Sequence, residues 1–575
     1  MFLPTTIDEL KKLGWNELDV ILVSGDSYID SPFIGIAVIG KLLVANGYKV
    51  GIIAQPNVDM DSDISRLGEP KLFWGVSGGS VDSMVANYTA SKKRRKQDDF
   101  TPGEQNNRRP DRAVIAYTNL IRRNFKNTAP IVLGGIEASL RRVTHYDFWS
   151  NKLRRPILFD AKADYLVYGM GEKAILELSQ KLKRNKDASN VKGICYISNE
   201  PNYKYLQIPS HEDCVKNKNT FAEMFEVFYQ NNDPLSAKGL CQQVGDRYLI
   251  QNPPQANPNV NEIDSYYDLQ YERELHPYYA KEGRVRALDT IRFSITTHRG
   301  CYGECNFCAI AVHQGRTIVS RSQNSILKEA NEFTSHKKFK GNIMDVGGPT
   351  ANMYDYECDK KLKLGVCDDK RCIFPDTCKA LKPNHKPNID LLKNISKIDG
   401  VNKVFVASGI RYDLITDDKL FGKEYLKQVV TKHTSGQMKI APEHASDKVL
   451  ELMGKPGKKS LNQFKDMFEQ LSKEAGKEQY LTYYFIAAHP GCSDKDMEDL
   501  KSFASNKLKT NPEQVQIFTP TPSTYSTLMY YTETNPSTGE KLFVEKDPGK
   551  QIKQKEIAIG NRRSKTLRKR PRQRK

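Results

Sequence analysis

Three cysteines stand at C-x3-C-x2-C in Cys301-Tyr302-Gly303-Glu304-Cys305-Asn306-Phe307-Cys308. Thiolates this close in sequence can wrap one iron–sulfur cluster, yet a [4Fe–4S] cube is usually held by four. A set of three leaves one iron with an open position. An open position lets a metal centre react with a ligand rather than only hold structure. The competing readings are a disulfide and a zinc site, with His298 or His313 as the fourth ligand. A second group, Cys358, Cys367, Cys372 and Cys378, falls at C-x8-C-x4-C-x5-C. It leaves a structural zinc, an additional iron–sulfur cluster and unligated thiols all open. Cys195, Cys214 and Cys241 have no metal spacing and read as buried thiols.

These residues need a scaffold, and the chain alternates suitably. Apolar, β-favouring runs at 291–297, 342–346, 403–407, 437–441, 480–487 and 514–518 are separated by helical patterns. Six strand–helix units predict a partial (β/α)6 TIM-type barrel, with its chemistry at the strand C-termini. The segment after each strand is polar or glycine-rich. Gly347-Gly348 lets a ligand approach the backbone. Ser408 and Arg411 offer a hydroxyl and a fixed guanidinium. Glu443, His489-Pro490-Gly491-Cys492 and Thr519 to Ser523 complete the rim.

The first half alternates too. Runs at 19–25, 49–54, 71–77, 131–135 and 165–169, all but the second ending in glycine or serine, have helical patterns between them. This predicts an α/β, doubly wound N-terminal domain over residues 1–200, its parallel sheet covered on both faces. Residues 201–285, broken by Pro253, Pro254, Pro258 and Pro277, read as a linker or junction segment. The catalytic core is expected over 286–545, and a basic, disordered tail over 546–575. A long polar insertion, 88–112, reads as a lid, a substrate-contacting arm or a solvated loop.

At 575 residues the chain exceeds one ordinary core. Its net charge is +19 and its pI about 9.2. That favours polyanionic partners, RNA among them, and says nothing about fold. The excess is concentrated in Lys92 to Lys96, Arg108-Arg109 and the stretch 562–575. No run of 18 apolar residues occurs, so no membrane partner is expected. The start lacks an export signal, so a cytoplasmic location with reduced thiols is expected.

The cysteine spacing, with Phe307 before the last thiol, resembles the signature of radical S-adenosylmethionine (SAM) enzymes. The N-terminal half resembles the cobalamin-binding-like domain found ahead of many such cores. That domain's cobalt ligand is a histidine in the loop after the first strand. The corresponding loop here, 26–35, has none, so axial cobalt ligation from it is not expected. Across almost the whole chain the sequence is similar to the YgiQ-type radical SAM proteins. The matching segments include Gly134-Gly135-Ile136-Glu137-Ala138-Ser139, Cys301 to Ile310, Gly347 to Tyr354 and Ile440-Ala441-Pro442-Glu443-His444. The resemblance implies a [4Fe–4S] cluster on Cys301, Cys305 and Cys308, with SAM as co-substrate. Gly347 and Gly348 would meet the SAM ammonium group, Ser408 and Arg411 its carboxylate or ribose, and Glu443 the ribose hydroxyls. Reductive cleavage would give a 5′-deoxyadenosyl radical acting on a substrate the family does not identify. The implied partner is a one-electron donor such as flavodoxin or ferredoxin. The alternative is an RNA-binding or RNA-modifying iron–sulfur protein.

Overall fold

A computed structural model describes residues 1–560. The first unit is built on a nine-stranded sheet. Five strands are parallel, in the order Val50–Ala54, Val20–Ser24, Phe73–Ser77, Ile131–Gly134, Tyr165–Val167. This is the doubly wound order, with its switch point between the strands Val20–Ser24 and Phe73–Ser77. The strands are apolar throughout because both faces are covered. Ile21 and Val23 pack on one side with Trp74 and the helix Ala113–Asn124. Val20 and Leu22 pack on the other with Phe73 and the helices Gly35–Ala45 and Glu172–Lys183.

The sheet does not stop at residue 200. Ile194–Ser198 pairs antiparallel with Tyr165–Val167, and Arg247–Gln251, Leu240–Val244 and Leu206–Ile208 continue outward. Much of the segment expected to be a linker, 201–285, is therefore sheet and helix. Its strands are short and carry Gln242, Gln243 and Gln251, which hides the apolar run that marks a central strand. The rest does span the junction: Tyr266 and Tyr267 pack with Leu42 and Ile263.

The second unit holds six parallel segments in chain order. Ser294–Thr296 pairs with Asp345–Gly347, and Asn342–Ile343 with Lys403–Val404. A bridge from Ile410 to Ile440 leads to Gln437–Glu443, Tyr480–Ala487 and Gln514–Ile517. Among the described residues no pairing joins the first segment to the last, so the array is an open part-barrel, not a closed TIM barrel. Its first strand is shorter than the sequence suggests, because a helix, Ala287–Ile291, takes the start of that run.

The expected tail divides. Pro548–Ile559 is a helix with Asp547 as N-cap, and Ala558 enters the second core. Gln554 accepts from Ala488 N at 3.1 Å and donates to Cys492 O at 3.2 Å. Paired glutamines and one alanine are a weak sequence signal for burial. Residues 561–575, where most of the tail's charge lies, are outside the described residues. No helix among the described residues is long and apolar enough to cross a membrane.

The insertion 88–112 is pinned to the first sheet's ligand edge. The Arg109 guanidinium is fully buried. It contacts Asp26 at 2.7 Å, Asp98 at 3.1 Å and the Gly78 carbonyl at 2.8 Å. Removing one partner of a buried ionic group strands the others and costs about 3–5 kcal/mol. Arg109→Met is expected to lose about that much in denaturant unfolding of the metal-free chain. A loss under about 1 kcal/mol, the scale of a surface ion pair, would contradict this packing.

Candidate functional site

The strand Ser294–Thr296 delivers the chain to the cysteine loop. Gly300 turns it with φ +84°, and Glu304 sits at φ +45° in the loop itself. Glu304 is tied to Arg316 at 3.2 Å and receives the Tyr229 hydroxyl at 3.4 Å. Asn306 donates to Met453 O from its backbone and to Leu452 O from its side chain, each at 2.9 Å. Tyr229 comes from the first unit and Met453 from the second, so both halves shape the loop. A Cβ at Gly303 would lie 3.2 Å from both Cys301 Sγ and Arg411 Nη1, which leaves little room for any other residue.

The three thiols converge electrostatically. Burial, then Cys305 and Cys301, push the Cys308 thiol up to about 12. Burial and Cys305 likewise raise Cys301, against the Arg411 charge. The raised thiols of Cys301 and Cys308 ionise more readily beside a cationic centre, which iron would supply. Among the described residues, no three His, Cys, Asp or Glu side chains close around a single metal ion. The donor set suits a cluster that spreads its ligands over several metals. Of the two histidines near the loop, His298 has its Nδ1 2.9 Å from Thr297 Oγ1 and its ring against Gly348.

The structure brings the other expected residues to the same rim, with some changed roles. Arg411 is held by Asp413 through Nε and Nη2 and reaches Cys305 Sγ at 3.6 Å through Nη1. Ser408 donates its hydroxyl to Asp345, which also accepts from Ala407 N at 2.7 Å and Ser408 N at 3.0 Å. The Gly347 carbonyl already accepts from Thr297 N at 2.7 Å. Gly348 is where close approach is needed: a Cβ there would sit 2.6 Å from His298 Cε1. Glu443 lies at a bulge with φ +71°. Burial raises its carboxyl to about 7, against the pull of Lys455 and Arg411. A group near neutrality can hold or release a proton at working pH.

Sequence reasoning missed Tyr229, Asn352, Asp345 and Asp413. Asn352 joins two loops by accepting from Arg411 N at 2.9 Å and donating to Arg411 O at 3.0 Å. Only the acid two residues after Arg411 offered a signal. Of the second cysteine group, Cys358, Cys372 and Cys378 pack with Tyr302 and Tyr356 against the cluster loop. The Lys361 ammonium is 3.7 Å from Cys372 Sγ. Cys195, Cys214 and Cys241 are buried in the first unit.

Two family descriptions match the chain: Radical SAM N-terminal over residues 2–294, and Radical SAM superfamily over residues 295–504. UPF0313 protein FN0734 of Fusobacterium nucleatum is 62% identical over 564 residues, covering 98% of this chain and 99% of that protein. A UPF0313 protein of Thermotoga neapolitana is 50% identical over 562 residues, covering 97% and 98%. Among solved structures, the methyltransferase TsrM from Kitasatospora setae, with tryptophan and a SAM analogue bound, aligns with TM-score 0.48 and 13% identity. It covers 88% of this chain and 74% of that one. The cobalamin-dependent SAM radical enzyme OxsB, with aqua-cobalamin bound, aligns with the same score and identity over 92% and 57%.

Burial holds three rim imidazoles neutral: His298 and His489 are pushed down to about 3, and His444 to about 4. The unfolded chain protonates them below about pH 6.5, whereas the folded chain does not. Stability therefore falls on acidification, by about 1.4 kcal/mol per group for each pH unit below that value. The Tm of the metal-free chain is expected to drop between pH 7 and 5, and His489→Gln to flatten the slope by one imidazole's share, since burial also pushes down His145 and His313. An unchanged slope in that variant would contradict the assignment.

Proposed function

We propose that this chain, which belongs to the radical SAM superfamily and within it to the UPF0313 family, cleaves SAM reductively and directs the radical onto an organic substrate. The observation that carries this reading is the convergence of Cys301, Cys305 and Cys308 at the C-terminal end of the first strand, with Arg411 against Cys305. Those three cysteines would hold the [4Fe–4S] cluster. When bound, the cluster supplies one electron to the SAM sulfonium, releasing methionine and a 5′-deoxyadenosyl radical.

The chain's own residues bind and orient. Arg411, oriented by Asp413, places a positive charge beside the thiolates and stabilises them. Gly348 lets a ligand reach the main chain where any side chain would strike His298. Asp345 holds the Ser408 hydroxyl in one orientation on the same rim. Glu443, raised toward neutrality, would accept hydrogen bonds from ribose hydroxyls as a carboxylate and donate one as an acid. The required reductant is a one-electron donor of the flavodoxin or ferredoxin type. An RNA substrate rests on the net charge alone, which is concentrated in residues 92–96, 108–109 and 562–575 of the sequence.

Cys305→Ala removes one of three thiolates. After anaerobic reconstitution the variant is expected to retain well under the roughly four irons of a full cube. With dithionite and SAM it is expected to form 5′-deoxyadenosine at background level only. Turnover equal to the unsubstituted chain would overturn the proposal.

A further inference from the structure

The carboxyl edges of the two sheets face each other across one cavity of about 540 Å3. Ser24, Ser77 and Gly134, each ending a strand, stand on the first unit's side; Thr296, Gly347 and Ser408 stand on the other. Each edge is where a sheet of its kind binds ligands. The volume is in the small-molecule range of about 300–1,000 Å3. A larger groove, about 1250 Å3, opens beside Met1, Arg284 and Lys338, but none of Gly347, Gly348 and Ser408 lines it.

The cavity wall specifies its occupant. Its deep side is apolar: Leu22, Ile36, Ile39, Phe73, Val132 and Ile175. Each charged group on the wall is already satisfied. Asp26 pairs with Arg109 and accepts from Ser80 N at 2.6 Å. Glu172 pairs with Arg299, and Asp345 takes the Ala407 and Ser408 donors. A ligand phosphate or carboxylate would find no uncommitted cation there and would lose its hydration without compensation.

Two polar side-chain atoms on this wall have no partner, His298 Nε2 and His313 Nδ1. The His298 side chain is fully buried. Thr297 Oγ1 lies 2.9 Å from His298 Nδ1 and 3.2 Å from the Gly347 carbonyl; with its hydroxyl proton on that carbonyl, the oxygen accepts from Nδ1–H, and in that tautomer the Nε2 lone pair is free. A buried acceptor left unpaired is costly, and a ligand hydroxyl or N–H relieves it.

The geometry points to this cavity as the substrate site, taking a neutral, mainly apolar molecule that donates a hydrogen bond to His298 Nε2. The inference rests on the enzyme reading above. Gly347, Gly348 and Ser408 serve both the cavity wall and the SAM rim, so the substrate lies beside the radical's source.

Three naphthalene probes test it by fluorescence titration on the reconstituted full-length protein: β-naphthol, its methyl ether and β-naphthalenesulfonate. Naphthol is expected to bind saturably at one site, about five-fold tighter than the ether, which lacks the donor. The sulfonate should bind at least ten-fold more weakly. His298→Leu, which removes the acceptor, should abolish the preference for naphthol over the ether, and a preference that survives it overturns the inference. Ile39→Trp, which fills the half-buried end of the cavity, should weaken both and serves alone if His298→Leu does not fold. The inference is also overturned by any of four further results: no saturable naphthol binding, a sulfonate that binds as tightly, insensitivity to Ile39→Trp, or hydroxocobalamin binding that displaces naphthol. The titration needs no turnover, so failure of SAM cleavage and failure of naphthol binding are read separately.

Discussion

The site depends on a buried ion pair across the two units. Arg299, two residues before Cys301, is clamped to Glu172 on the first unit and donates to the Tyr267 hydroxyl at 3.1 Å. Both charges are almost wholly removed from water. Such a pair adds little net stability over an apolar replacement, but moving one partner away leaves a bare buried charge. It therefore selects one docking geometry, and that geometry sets the cluster loop opposite the first sheet's ligand edge.

Around this clamp the loop is held from every side. Tyr229 and Arg316 hold Glu304, the Met453 and Leu452 carbonyls hold Asn306, and Ser526 N donates to the Asn306 carbonyl at 2.8 Å. Such bracing suits a site whose thiols repel one another. A loop free to relax would spread its buried sulfurs apart. Arg411 acts in the same sense, as the cation in hydrogen-bond range of Cys305, itself fixed by Asp413. Positioning and electrostatics are thus supplied by one set of contacts.

Several features are legible in the order of residues alone. The cysteine spacing marks the loop as a candidate cluster site, because spacing in a short loop is local. The five apolar runs of the first half name a parallel sheet, because strands buried on both faces cannot alternate with polar residues. The six-unit order of the second half is legible for the same reason. The expected boundaries fail where burial is achieved by polar side chains with partners. The strands of 201–285 contain buried glutamines, and the helix Pro548–Ile559 docks through Gln551 and Gln554. Amides satisfied by distant backbone groups look like surface residues in a sequence.

By itself the chain's order of residues determined the ligand chemistry, the strand–helix alternation and the two separate ligand edges, since each depends on neighbours within a few turns. Only the tertiary structure decided that the two edges face each other. It also decided that Arg411, paired with Asp413, lies within reach of Cys305, and that His298 lines a cavity between the sheets. Those outcomes join residues more than a hundred positions apart, as Arg299 and Glu172 are. They are set by which distant groups satisfy one another's charge and hydrogen bonds in the folded chain.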